Sequence, residues 1–229
     1  MNASSYTYHL KEDLDISEVI VATHNNGKWG EFEYYLRTWP CSVYQGDFLA
    51  EPEETGTTFI ENAILKARAA AEVSKSWCLG DDAGIQIQCL DNFPSVHTKR
   101  FAQEHGGWKK ATKVLLDRIQ AQKDNETEIL DTITATYHCA LALAGPKGEI
   151  FTAEGIAKGK IAQGALLREC EDKTLHKSPS IAFEPIFFLE DRSTTYTMME
   201  PLQRLQNHYR HRAIQLLQQQ IFVRHISNT

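Results

Sequence analysis

Asp81-Asp82 follows the apolar run Trp77-Cys78-Leu79-Gly80. Two adjacent carboxylates repel one another, and a hard divalent cation, magnesium above all, relieves that repulsion. The same dipeptide also suits an acidic turn before Gly84. Glu53-Glu54 offers either further oxygen ligands or two solvated loop charges. The loop Thr23-His24-Asn25-Asn26-Gly27-Lys28 separates an apolar run from a helix-forming segment. Free backbone N–H groups and the positive end of a helix dipole at such a junction suit a phosphate, and Lys28 adds a full charge. An ordinary polar turn with a solvated lysine fits the same residues. It is no Walker loop, because position 22 is Ala where the first Gly belongs and Trp29 follows the Lys. His208-Tyr209-Arg210-His211-Arg212 concentrates donors near the C-terminus and reads, taken alone, as a solvated basic face. The nine histidines include no HExxH or comparable spacing, which argues against a histidine-bound zinc, and His97, His105 and His138 read as packing or surface residues.

The elements that must position these residues alternate. Val19 to Ala22 is a β-branched run with strand character, and Lys28 to Arg37 carries Trp29, Phe32 and Leu36 near helical spacing before Pro40 blocks continuation. Ser42 to Gln45 is a second strand candidate. Thr58-Phe59-Ile60-Glu61 has the form of a capping box, opening a helix to about Val73. That box explains Glu61 without catalysis. Phe59, Ala63, Ala67 and Ala71 form the packing stripe of this helix, and Asn62 and Lys66 are expected on the opposite face. Trp77 to Gly80 is expected as a strand ending at Asp81-Asp82, with a separate strand at Ile85 to Cys89 and an irregular stretch at Asp91 to Pro94. A helix from Trp108 to about Gln122 follows, then a strand from Tyr137 to Ala144, the turn Gly145-Pro146-Lys147-Gly148 and a returning strand from Glu149 to Ala157. Ala182 to Leu189 is a further strand candidate, and a helix from about Leu202 to Gln220 closes the chain. There is no internal repeat and no long linker. Alternating strands and helices predict an α/β fold, and the central hairpin predicts a mixed, twisted sheet rather than a purely parallel one.

The chain has 229 residues, 42% of them hydrophobic, and a formal net charge of −6. That length supports one large α/β domain. A mean hydropathy of −0.40 argues against a membrane span. Residues 1–18 form a polar extension lacking the basic, apolar and small-residue order of a secretory signal, so a cytoplasmic protein is expected. Cys41, Cys78, Cys89, Cys139 and Cys170 are odd in number and widely spaced, which predicts reduced, mostly buried thiols. The acidic balance argues against nucleic acid as a partner, leaving small anionic ligands open.

Taken in order, three motifs give the chain an identity at the family level: Ala22-Thr23-His24-Asn25-Asn26-Gly27-Lys28, the run from Glu53 to Arg68, and Asp81-Asp82-Ala83-Gly84. Over Val19 to about Leu217 the sequence resembles the inosine-triphosphate pyrophosphatases, house-cleaning enzymes for non-canonical purine nucleoside triphosphates, with weaker echoes at 94–101, 183–187 and 211–213. The resemblance implies a domain over residues 19–222 with an elongated, two-lobed α/β fold, a central mixed sheet and a cleft between lobes. It also implies a homodimer and magnesium-dependent hydrolysis of a triphosphate to monophosphate and pyrophosphate. Carried over by position, Thr23, Asn25, Lys28, Asn62 and Lys66 would hold the substrate. Glu53 or Glu54 would hold the metal with Asp82, and Asp82, supported by Asp81, would orient or deprotonate the attacking water. Ala83, Arg100, Phe183, Glu184, His211 and Arg212 would complete the nucleotide site, with His211 and Arg212 reading the base.

The base side departs from the family. Ala83 replaces Ser, Phe183 replaces Tyr, Glu184 replaces Asp, Ile181-Ala182 replaces Phe-Gly, Gln206 replaces Lys and Arg210 replaces Ser. Weakened base stacking and shifted or relaxed base selectivity are therefore expected. The competing expectations are a pyrophosphatase for another modified or a pyrimidine nucleotide, a catalytically decayed nucleotide-binding module, and RNA binding through Arg210, His211 and Arg212.

Overall fold

A computed structural model describes residues 6–11, 14–125, 133–162, 182–190 and 194–226. Cys170 and Ile181 lie outside them. The strands are β1 (Tyr6–Leu10), β2 (Glu18–Val21), β3 (Ser42–Gln45), β4 (Trp77–Ile87), β5 (Thr134–Ala144), β6 (Ile150–Ile161), β7 (Phe187–Leu189) and β8 (Phe222–Ile226). The helices are α1 (Asn26–Leu36), α2 (Phe59–Ser74), α3 (Thr98–Glu104), α4 (Trp108–Asn125), α5 (Pro201–Asn207) and α6 (Tyr209–Ile221). Six strands form a mixed sheet in the order β3-β2-β4-β5-β6-β7, and β1 pairs with β8 in a separate antiparallel ribbon. The α/β class and mixed sheet expected from the sequence are therefore found. No described helix is long and apolar enough to cross a membrane.

The chain divides into two compact units, residues 1–82, 140–155 and 211–229 in one and 83–139 and 156–210 in the other. In the first, β2 runs parallel to β3 and to β4, with Val19, Ile20 and Val21 opposite Trp77, Cys78 and Leu79. Its core includes Val19, Phe32, Leu36, Ala63, Ala67, Leu79, Ile214 and Leu217. In the second, Ile85, Phe101, Leu115, Tyr137, Phe187 and Tyr196 are buried. The Tyr137 hydroxyl accepts the Phe183 N–H at 2.9 Å, and burial, with help from the Glu184 charge, drives its pKa far above the ordinary phenol value.

Four expectations need correction. β4 is one strand through Asp81 and Asp82, not two strands about an acidic turn. The acids are tolerated mid-strand because lysines from α1 and α2 meet them. The 182–189 segment is a turn, a single 3-10 turn at Glu184–Ile186 and only then a strand, as expected of a run with Pro185 removing a ladder donor. The C-terminal helix breaks at His208, which has extended backbone at φ −68° and ψ 145°. Finally, Asn62 and Lys66 do not lie opposite the alanine stripe: they are buried beside it. Adjacent residues on a helix are about 100° apart, so 62/66 and 63/67 share a broad buried arc.

Among the described cysteines, Cys78 and Cys139 are buried and Cys41 and Cys89 half-buried, all as free thiols. Burial raises the Cys41 pKa from 9.0 to about 11 and also raises that of Cys78.

Candidate active site

The phosphate-side residues named from the sequence converge within the first unit. Asn25 is the N-cap of α1, its Oδ1 accepting from the Gly27 N–H at 2.9 Å and the Lys28 N–H at 3.1 Å. Two of the helix-start donors are thus already satisfied by the cap. Thr23 is buried, its Oγ1 accepting the Asn25 N–H at 3.2 Å. The loop shape is therefore set by its own side chains, and it delivers Lys28 to Asp81, Nζ to Oδ2 2.9 Å. Asp81 is 3% exposed.

α2 supplies the second cation. Thr58 caps it, accepting from the Glu61 N–H at 3.2 Å, while the Glu61 carboxylate accepts the Thr57 and Thr58 N–H groups at 2.7 and 3.0 Å. Those backbone bonds hold the Glu61 pKa below its ordinary value, the signature of a capping rather than a catalytic acid. One turn on, Asn62 Nδ2 donates to Asp82 Oδ2 at 3.1 Å while its Oδ1 accepts the Gly56 N–H at 2.8 Å. Lys66 is 8% exposed. Its Nζ lies 2.6 Å from Glu54, 3.4 Å from Asp82 and 3.1 Å from the Asp81 carbonyl oxygen.

These contacts need the backbones of α2 and β4 to approach closely, and Gly80 allows it. A Cβ there would run into the Ala63 carbonyl oxygen and lie 2.7 Å from the Ala67 nitrogen. Any side chain would push β4 away from the helix that carries Lys66.

The charges do not balance. Three carboxylates, Glu54, Asp81 and Asp82, share the ammonium groups of Lys28 and Lys66. Burial alone would depress the Lys66 pKa, but Asp82, Asp81 and Glu54 outweigh it and hold the group above its ordinary value. Asp82 moves the other way for a carboxylate paired with lysine: burial raises its pKa, and the attraction of Lys66 and Lys28 does not cancel that. The carboxylates around Lys66 set its direction, and burial sets that of Asp82. Glu54 rather than Glu53 belongs to it, since Glu53 is exposed.

Two of these carboxylates could hold a divalent ion between them. Glu54 and Asp82 both reach one ammonium, so their oxygens flank a common point. No three Asp, Glu, His or Cys side chains gather on one centre among the described residues.

The base-side residues are placed differently. Ala83, Arg100, Phe183 and Glu184 belong to the second unit and His211 and Arg212 to the first. Arg100 is exposed on α3, and Ala83 is half-buried in β4. Phe183 is 0% exposed, packed against Phe101 at 6.2 Å and edge-on to Trp108 at 5.5 Å between centroids. It offers no face to a ligand. Glu184 is equally enclosed: Oε1 accepts from His208 Nε2 at 2.9 Å and from the Tyr209 hydroxyl at 3.0 Å, and Oε2 from Arg204 at 3.1 Å. With His208, Tyr209 and Arg210 buried, the segment is not the solvated basic face its composition suggests. Arg212 remains exposed and His211 half-buried.

Three positioning contacts had no clear sequence signal. Asn62 tethers Asp82 to the loop at Gly56, and the imidazole of His24 bonds the Leu49 carbonyl oxygen at 2.7 Å. Tyr35 stacks on His211. Only the four-residue spacing of Asn62 and Lys66 pointed toward the first.

Comparison with known proteins places the chain in a family. Proteins named dITP/XTP pyrophosphatase from Vibrio cholerae and Listeria monocytogenes are 30% and 33% identical, over 88% and 86% of this chain and 95% and 90% of theirs. The solved HAM1 protein of Coxiella burnetii superposes with a TM-score of 0.74 at 25% identity, covering 89% of this chain and 98% of that one. The Ham1 protein of Staphylococcus aureus gives 0.68 at 28% identity, covering 88% and 96%. The profile of the Ham1 family matches residues 19–220, so the run that holds every residue of the acidic corner is family sequence, and the chain belongs to the Ham1 family.

Proposed function

We propose that this protein hydrolyses non-canonical purine nucleoside triphosphates, those of inosine, deoxyinosine and xanthosine, to the monophosphate and pyrophosphate with magnesium. The observation that carries the proposal is the buried corner in which Lys28 and Lys66 face Glu54, Asp81 and Asp82. Two lysines offset phosphate charge, and the excess of carboxylates provides for a divalent ion that neutralises the rest and polarises water when bound. Relatives named dITP/XTP pyrophosphatase support the substrate class.

Glu54 and Asp82 would hold the ion. Lys28 and Lys66 would orient the triphosphate, with Thr23 and Asn25 fixing the loop that delivers Lys28. Asp82, held by Asn62, would orient the attacking water and take its proton, with Asp81 beside it as a second carboxylate. Water oxygen bonds to the α-phosphorus, the bond to the bridging oxygen breaks, and pyrophosphate leaves with the electron pair. Most of the acceleration is positioning and charge stabilisation, as in other phosphoryl transfers.

On the base side, His211 and Arg212 would do the reading. A guanidinium only donates hydrogen bonds, so it accepts a 6-oxo purine and leaves a donor unpaired against a 6-amino one. With Phe183 enclosed, stacking by that ring is lost and selectivity rests on this pair. An intracellular homodimer is the setting that fits the family resemblance.

The test is pyrophosphate release by purified protein with magnesium, across inosine, xanthosine, deoxyinosine and common nucleoside triphosphates. Selective release from the 6-oxo purines, abolished by chelation and by Asp82→Asn, is expected. Folded protein that binds nucleotides tightly but releases no pyrophosphate would overturn the assignment in favour of a binding module. Arg212→Ala should damage discrimination more than maximal rate; an equal loss on all substrates would make Arg212 a general binding residue.

A further inference from the structure

α1 carries its working residues along one face. Lys28 and Tyr35 lie seven residues apart, two helical turns, with the fully buried Phe32 between them. At the first turn Lys28 meets Asp81 at 2.9 Å. At the last, the Tyr35 ring lies parallel to the His211 imidazole on α6, with 5.1 Å between centroids and 6° between planes. Tyr35 is 6% exposed. It is buttressed edge-on by Tyr34 at 5.7 Å and 77°, and Tyr34 in turn carries the Arg37 guanidinium 3.7 Å above its ring.

A parallel contact at this separation fixes the plane of the imidazole, because turning His211 about its ring bond would drive an edge into Tyr35. His211 cannot choose its own orientation, and its ring plane sets the directions in which its two nitrogens present a donor or acceptor. We propose that Tyr35 is a positioning residue for base selection, acting through His211 and touching no substrate itself. The proposal rests on the reading of His211 and Arg212 as the base-reading pair. An aromatic contact of this type corresponds to roughly a 3- to 10-fold effect on an equilibrium.

Tyr35→Phe keeps the ring and should keep the ratio of kcat/KM for inosine triphosphate over ATP within about twofold of wild type. Tyr35→Leu removes the ring and should lower that ratio roughly 3- to 10-fold, through KM for the inosine substrate rather than through kcat. A purely structural Tyr35 would lower stability and slow every substrate alike, leaving the ratio unmoved; that result overturns the proposal. Independently of any variant, nuclear Overhauser contacts between the Tyr35 and His211 ring protons are expected in the wild-type protein, and their absence would also overturn it. If wild type hydrolyses no triphosphate, the functional reading fails first. Calorimetric affinities for inosine against adenosine nucleotides, wild type against Tyr35→Leu and Tyr35→Phe, then decide the Tyr35 role separately, an unchanged ratio sinking it.

Discussion

At Asp82, burial opposes the charge that hydrolysis would need. Burial raises its pKa above that of an ordinary carboxylate, so ionising Asp82 costs more in the folded chain than in water even with Lys66 and Lys28 nearby. Asp82→Asn should therefore cost turnover, by ~10²-fold or more, without lowering the melting temperature. A variant that loses activity and unfolds early in a thermal scan would show instead that Asp82 is mainly a structural partner of Lys66. A second residue-scale prediction concerns Cys41, whose pKa burial lifts to about 11. Folding favours its neutral thiol, so this contribution to stability is complete below pH 9 and is lost as pH rises through about 11. Iodoacetamide should modify Cys41 slowly at pH 8 and faster toward pH 11, as mass spectrometry would show. Rapid labelling at pH 8 would contradict it.

Between elements, the decisive contact is the approach of β4 to α2 at Gly80. Gly80→Ala must move the strand off the Ala63 carbonyl, lengthening the bonds from Lys66 and Asn62 to Asp82. We expect both a lower melting temperature and a loss of turnover greater than the stability change explains. Thr58→Ala offers a contrast: it removes the cap of α2 and should cost ~1 kcal/mol in a urea titration with little effect on kcat. If the two variants behaved alike, strand approach would have no special importance for the site. The same elements explain what was legible in the sequence. The capping box, the alanine stripe and the β5–β6 hairpin depend on residues near one another in the chain, so short patterns reveal them. Asp81-Asp82 sits mid-strand because of Lys28, some fifty residues earlier, and no local pattern carries that. The break at His208 likewise depends on Glu184, which captures His208, Tyr209 and Arg204 from a distant segment. The residues of the acidic corner were named through the family resemblance, motif by motif, while their meeting across the chain comes from the fold. The base side was less legible, because burial decides which of its aromatic and basic residues still face solvent.

For the molecule as a whole, the first and last described strands form a sheet of their own. β1 pairs with β8 in register from Tyr6 opposite Ile226 to Leu10 opposite Phe222, and the Lys11 N–H continues the contact to the Ile221 carbonyl at 3.0 Å. Two strands alone are marginal in water, so the ribbon needs anchoring, and Phe222 supplies it by packing edge-on against Trp39 at 5.1 Å. Removing residues 1–11 should therefore lower the melting temperature while leaving pyrophosphate release at moderate temperature close to normal, since no proposed site residue lies there. A total loss of activity in a folded truncation would tie the ribbon to catalysis. The ribbon also sets the first and last strands of the described residues side by side. A short peptide joining them would close the loop, and new ends could then be opened in the exposed hairpin turn at Pro146-Lys147. A chain permuted at that turn should keep this architecture, whereas one with a side chain at Gly80 should not.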